Sequence, residues 1–153
     1  MKTLAGPGEK AEILRRLQTV RPDDVRRWGR MSAPQMVCHL GDNFRMAMGR
    51  IPVSDATGPW QRTGLKWIAL YLPVRWPGGR ILTRPEIDQE VGGTKPGDFA
   101  GDVAELAALV DLFTARTRIF AWPAHPIFGR MSDAAWMRWA YLHMDHHLRQ
   151  FGA

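Results

Sequence analysis

A single cysteine, Cys38, stands among the 153 residues of this chain, which excludes an intramolecular disulfide and fits a reducing compartment. Long apolar runs are missing too. The longest, WIALYLPV from Trp67 to Val74, is far short of the ~20 residues that a membrane-spanning helix needs. The N-terminal MKTLAGPGEK has no apolar h-region, so a secretory signal is not expected. Nowhere is the apolar–polar alternation of a half-buried strand sustained. These absences point to a soluble, cytoplasmic protein. The length suggests one domain over residues 1–153, able to bury roughly 68–70% of the surface its unfolded chain exposes.

Negative charge is also thin. Asp and Glu number 15 against 21 Lys and Arg, for a net charge of +6. Such an excess draws nucleic acid, anionic lipid or an anionic substrate. The arginines, however, are spread from Arg15 to Arg149, and only Arg26, Arg27 and Arg30 approach a cluster. No basic stripe is interleaved with aromatics. The surplus reads as a solvated surface, and neither nucleic acid nor a membrane is the expected partner.

Four segments carry the period of bundle helices. Glu9 to Val20 places Ile13, Leu14 and Leu17 on one face and stops before Pro22. A second helix starts at Ser32, where Ser32 and Gln35 make the S-x-x-Q pattern of a capping box. Met36, Leu40, Phe44 and Ala47 form its stripe, and Gly49 ends it. The third starts near Asp98 and carries Phe99, Val103, Leu106, Val110, Phe113 and Phe120, closed by Trp122-Pro123, with Asp102, Glu105 and Asp111 left to solvent. The fourth runs from Ser132, another cap, to about Phe151.

Between the second and third, Trp60 to Leu72 reads as a short helix, and residues 73–97 hold four prolines and five glycines, which opposes regular structure. A connection that long is either a substrate lid or a crossover wrapping the bundle. The pattern as a whole predicts an all-α, four-helix-bundle-like domain. Gly29-Arg30-Met31-Ser32 recurs as Gly129-Arg130-Met131-Ser132, an echo that shared capping chemistry explains.

Histidine is scarce, five in all, yet three fall within YLHMDHHLRQFG, Tyr141 to Gly152. His143 and His147 lie about 40° apart on one helix face, one turn from each other. That face continues as Trp136, Ala140, His143, His147 and Phe151, so both imidazoles point where the apolar residues point. The spacing is that with which one helix supplies two ligands to one ion, as in H-E-x-x-H sites. Here Met144 follows the first histidine, and the glutamate base of such sites is missing. A buried polar group left without a partner costs roughly 1–3 kcal/mol. An ion would satisfy both rings at once; polar decoration of a C-terminal helix is the other reading.

A third ligand must come from another helix, and His39, beside the apolar face of the second, is the candidate. His125, in an Ala-His-Pro loop, reads as structural. His146, about 100° round from His147, reads as a second-shell or substrate-side residue, or as a surface histidine. Asp42 and Asp145 are candidates for orienting ligand imidazoles, or are solvated carboxylates. None of the five glutamates stands three residues before a histidine, which sets aside a ferritin-like di-iron site.

His39-Leu40 in MSAPQMVCHLGDNFR, with His143 and His147 in HMDHHLRQF, resembles the DinB-like superfamily, the YfiT-like metalloenzymes. The frequent H-H-R-G-Q ending of that family is echoed by His146-His147-Leu148-Arg149-Gln150, with Leu148 and Arg149 departing from its R-G. Trp28 through Gly49, Thr94 to Phe99 and His125 through Gly152 resemble, more specifically, a small bacterial branch of unknown function. The resemblance implies an up-down-down-up four-helix bundle with a long crossover between its second and third helices. It implies His39, His143 and His147 on one divalent ion, commonly zinc or nickel, and kinship with metal-dependent hydrolases and low-molecular-weight thiol transferases.

Structural zinc normally has four protein ligands, whereas three histidines plus an open position is a catalytic arrangement. The expected function is therefore a divalent-metal-dependent enzyme that activates water or a thiol. Its expected partner is a small molecule, anionic or thiol-conjugated. His146 is the candidate proton shuttle, and Arg75 or Arg80 the candidate holder of an anionic substrate. Cys38 reads as a small core residue. The rival is a non-catalytic helical module that binds metal for stability, or meets nucleic acid or a protein. Trp60, Trp67 and Trp76, outside the helix stripes, would cover the bundle or form a homodimer contact.

Overall fold

The computed structural model describes residues 1–72, 75–78 and 83–153; Arg80 lies outside the described residues. The α-helices of the described residues are α1 (Pro7–Leu17), α2 (Ala33–Ala47), α3 (Lys66–Tyr71, continuing a π-helical turn Gln61–Leu65), α4 (Phe99–Phe113) and α5 (Asp133–Gln150). Among the described residues there is no strand, only an isolated antiparallel bridge between His125 and Gly129. No described helix is long and apolar enough to cross a membrane. The architecture is an all-helical bundle.

The helix starts follow from side chains that satisfy the first orphan amides. Ser32 Oγ accepts from the Gln35 amide at 3.3 Å while Gln35 Oε1 accepts from the Ser32 amide at 2.8 Å, a complete capping box. Ser132 caps α5 through the Ala135 amide, and Asp98 caps α4 through that of Gly101. The two repeated G-R-M-S turns are one device used twice: Gly29 and Gly129 have φ of +73° and +64°, where glycine sits without strain, and each serine then caps a helix. α1 begins at Pro7, earlier than its apolar period suggests, because proline is pre-set for a first turn; it ends at Leu17.

The third predicted helix is shorter than its stripe. α4 ends at Phe113, where Thr114 turns its Oγ1 back onto the Val110 carbonyl at 2.8 Å. The following run, Ala115 to Arg118, offers no apolar face to bury. Phe120 and Trp122 reach the same aromatic cluster from irregular chain, with Trp122 at 5.0 Å from Phe113 and 5.3 Å from Trp136 between ring centroids. Asp102 is not left to solvent either: half-buried, it accepts from the Gly97 amide at 2.9 Å.

α2 packs against α4 on one side and meets α5 on another, while α5 also holds α1 and α3. Met36, Leu40 and Phe44 of α2, Leu106, Val110 and Phe113 of α4, and Trp136, Met144 and Leu148 of α5 are all buried. On α2 the residues left over from the α4 contact, His39, Asn43 and Met46, line a cavity bounded also by α5 and α3.

The 73–97 connection divides its work. Its later part is a crossover pinned to α2 by Asp42, whose carboxylate is 1% exposed. Asp42 accepts from Gln89 Nε2 at 2.9 Å, from the Thr94 amide at 2.8 Å and from the Thr94 hydroxyl at 2.6 Å, and it pairs with Arg45 at 2.9 Å. Arg75, Trp76, Thr83 and Arg84 instead line the cavity. Trp76 is held there by its Nε1–H, which donates to the Ala69 carbonyl at 2.9 Å; only Trp60 and Trp67 of the three tryptophans are exposed.

Candidate metal centre

All five histidines line one cavity of about 630 Å³, a size usual for small-molecule sites at roughly 300–1,000 Å³. Three of them converge. One ring nitrogen each of His39, His143 and His147 lies within 4.8 Å of the others. The ring centroids of His39 stand 5.4 Å from His143 and 4.9 Å from His147, with His143 and His147 4.8 Å apart. Helix geometry sets the last separation, since the two residues are one turn apart on α5. The packing of α2 on α5 delivers the third ring.

The far nitrogens show which lone pairs face inward. His39 Nδ1 lies 3.0 Å from the Ile87 carbonyl. A carbonyl only accepts, so Nδ1 carries the proton and Nε2 is left as the donor atom. His147 Nδ1 lies 3.0 Å from Gln150 Oε1, and Gln150 Nε2 donates to the Trp28 carbonyl at 2.7 Å. That second bond fixes the amide's orientation, so its oxygen faces His147 and again leaves Nε2 unprotonated. This is the arrangement in which outer partners set the tautomer of ligating imidazoles. Gly29 makes room for it: a Cβ there would stand 2.7 Å from Gln150 Nε2.

Neutral rings are what coordination requires. Burial lowers the pKa of His39, and burial followed by the neighbouring imidazoles holds His143 and His147 well below the ordinary histidine value. One donor competes: the Asn43 side-chain nitrogen, 2.7 Å from the His39 carbonyl, also lies 3.1 Å from His39 Nε2. The donor set, three imidazoles with no carboxylate or thiolate among them, suits a transition ion better than a hard ion such as magnesium or calcium.

The other sequence candidates separate clearly. Asp42 does not touch an imidazole; it acts at one remove, by pinning the loop that carries the Ile87 carbonyl. Asp145 faces away, accepting from Arg16 at 2.8 Å and Arg149 at 2.9 Å. His146 is buried rather than on the surface. Its ring lies 5.1 Å from His147, 5.7 Å from Trp28 and 6.1 Å from Trp76, and its Nδ1 has no partner among the described residues. Cys38 is buried beside Asp102, with Sγ at 3.6 Å from a carboxylate oxygen. Burial, then the Asp102 charge, pushes its thiol up to about 12, which disfavours the thiolate that a nucleophile or a ligand needs.

Sequence reasoning missed Gln150 and Ile87. Gln150 follows His147 by three residues on the same face, a spacing that would have found it. The Ile87 contact is made by backbone, which any residue supplies, and no sequence signal marks it.

The model of the family described as "Protein of unknown function (DUF1569)" matches residues 8–153. No curated protein and no solved structure matches the chain. With all but its first seven residues covered, the chain belongs to the DUF1569 family.

Proposed function

We propose that this protein is a divalent-metal-dependent enzyme in which His39, His143 and His147 hold one ion, zinc or nickel, on the wall of the cavity. The observation that carries this reading is the convergence of three imidazole nitrogens within 4.8 Å, two of them with their tautomers set by outer partners. The DinB-like resemblance of the same residues supports it, as does a cavity large enough for a substrate. A divalent ion with an open position supplies Lewis acidity and lowers the pKa of bound water to about 7, or that of a thiol below its usual value. Hydrolysis and thiol transfer are the two reaction types this suits.

The chain's own residues would do the rest. Trp28, Trp76 and Trp139 wall off water and pack an apolar part of the substrate. Arg75, on the cavity wall, attracts an anionic substrate. His146 lies beside His147 with a ring nitrogen that has no partner among the described residues, which suits it to carry a proton. A reducing, cytoplasmic setting would keep a thiol substrate available.

The test is metal content by mass spectrometry on untagged protein, comparing wild type with His147→Ala. Near-stoichiometric zinc or nickel in the wild type, lost in the variant, is the expected result. No metal in either, even after loading, would sink the proposal.

A second reading is favoured by the outer side of the α3 region, where Trp60 and Trp67 are 61% and 58% exposed. There the protein is a helical module that uses those indoles against a second copy or another protein. Chelator-sensitive turnover of ester, amide or thiol-conjugate substrates separates the two readings; its absence, with a concentration-dependent dimer, favours the module.

A further inference from the structure

Only half of the His125 ring is structural. Its Nδ1 accepts two backbone amides, from Ile127 at 3.1 Å and Phe128 at 3.2 Å, inside the turn that the His125–Gly129 bridge closes. A ring nitrogen that accepts N–H donors has no proton, so in the neutral ring the proton sits on Nε2. The ring is clamped, stacked on Phe128 at 4.8 Å and set against Trp136 at 5.4 Å and Trp139 at 5.1 Å. Burial pushes its pKa down to about 3, so it stays neutral near pH 7. Only 4% exposed, the residue nonetheless belongs to the cavity wall. Its Nε2–H has no partner among the described residues.

This geometry bars His125 from being a fourth ligand. Coordination through Nε2 would need the lone pair there, and moving the proton to Nδ1 would set N–H against two N–H groups. What is left is a hydrogen-bond donor of fixed direction. It stands two ring-to-ring steps of 5.1 Å from His143, with Trp139 between them.

The rest of the cavity indicates which acceptor suits that donor. Among the described lining residues no Asp or Glu occurs, and the charged ones are Arg30, Arg75 and Arg84. Arg30 is paired with Asp88 and Glu90, and Arg84 donates to Ser54 Oγ, which leaves Arg75 and Arg84 as the lining cations without an ion pair among the described residues. An apolar enclosure with the His125 N–H, a Trp28 Nε1–H that has no partner among the described residues and two arginines fits an anion. A carboxylate on an apolar body suits it, whereas a free phosphate brings no apolar surface to the aromatic and aliphatic walls.

We propose that the cavity binds an amphipathic carboxylate, an apolar body whose carboxylate accepts the His125 Nε2–H. Its other end would reach the three-histidine centre; that half rests on the metal reading above, whereas the contact with His125 does not. His125 is accordingly a positioning residue that sets where the substrate lies.

The test uses metal-stripped full-length protein and calorimetric titration with phenylacetate, 3-phenylpropionate and 4-phenylbutyrate, with 3-phenylpropylamine as the cationic control. His125→Asn removes the cavity donor but keeps an acceptor for the Ile127 amide, as asparagine does in an Asx-turn. At least one carboxylate should bind the wild type in preference to the amine, and weaken about tenfold or more in His125→Asn. Zinc content on reloading should not change in the variant. In parallel, ¹⁵N-histidine spectra of the wild type should show His125 protonated on Nε2, with that proton moving downfield on addition of the carboxylate. No carboxylate binding, equal binding by the variant, or an Nε2–H that does not respond would each overturn the proposal. Failure to bind zinc would sink the metal reading and leave this result standing.

Discussion

On the face shared by α2 and α5, the Ile87 carbonyl and Gln150 Oε1 sit against the Nδ1 atoms of His39 and His147, and the Nε2 lone pairs turn inward. In the turn at 125–129 the backbone presents amides instead, and His125, a residue of the cavity wall, is left with its proton on Nε2. One side chain thus does opposite chemistry at two ends of one cavity. What differs is only whether its other nitrogen meets an acceptor or a donor.

The sharpest way to break this contrast is to remove ligands. His39→Ala combined with His143→Ala should abolish the rise in Tm that the proposed metal reading expects saturating zinc to give the wild type. That rise is roughly 10 °C for a chain of this size with the ion at about a thousand times its Kd. His125→Asn should keep the whole rise, as followed by thermal denaturation with and without zinc. Next comes Asp42→Ala, which strips three contacts from the crossover and one from Arg45. We expect a loss of about 3 kcal/mol in urea denaturation and a His39 ring no longer held to one tautomer.

Gln150→Leu should fold normally and weaken zinc binding about 10–100-fold, measured by competition with a chromophoric chelator. An unchanged affinity would show that Gln150 does not set His147. The smallest effect is in pH. His125 titrates near 3 when folded and near ~6.5 when unfolded. In that interval the unfolded chain takes up a proton that the folded ring refuses. Its stabilisation is therefore full above about pH 6.5 and is lost as pH falls toward 3, by up to ~1.4 kcal/mol per pH unit. Denaturation of metal-free protein at pH 7, 6 and 5 should show a shallower loss for His125→Asn than for wild type; parallel curves would refute a neutral, buried His125.

The elements that sequence revealed best were those governed by local rules. Ser32 with Gln35, and Ser132, mark their helix starts because capping involves only neighbours three residues apart. His143 and His147 were legible as a pair for the same reason. His39 entered from the apolar face beside it, and the bundle brings it to the pair. The stripe through Phe120 misled because apolar spacing reports burial, and a loop can bury an aromatic as well as a helix can. Asp42 and Asp145 misled because a carboxylate one turn from a histidine has other suitors: a crossover 47–52 residues away for the first, two arginines for the second. The tautomers of His39 and His125 depend on backbone groups, and those become visible only when the chain is folded.

Three of the seven tryptophans stand against His143 or His146. Trp139 stacks on His143 at 5.1 Å and 29°, Trp76 lies 6.1 Å from both, and Trp28 lies 5.7 Å from His146. The molecule therefore carries its own optical reporter in contact with the histidine cluster. A filled-shell ion such as zinc changes the surroundings of these emitters without draining their excited state, whereas nickel, with a partly filled d shell, quenches them. The colour and brightness of the protein's ultraviolet emission would then distinguish the two ions of the proposed reading.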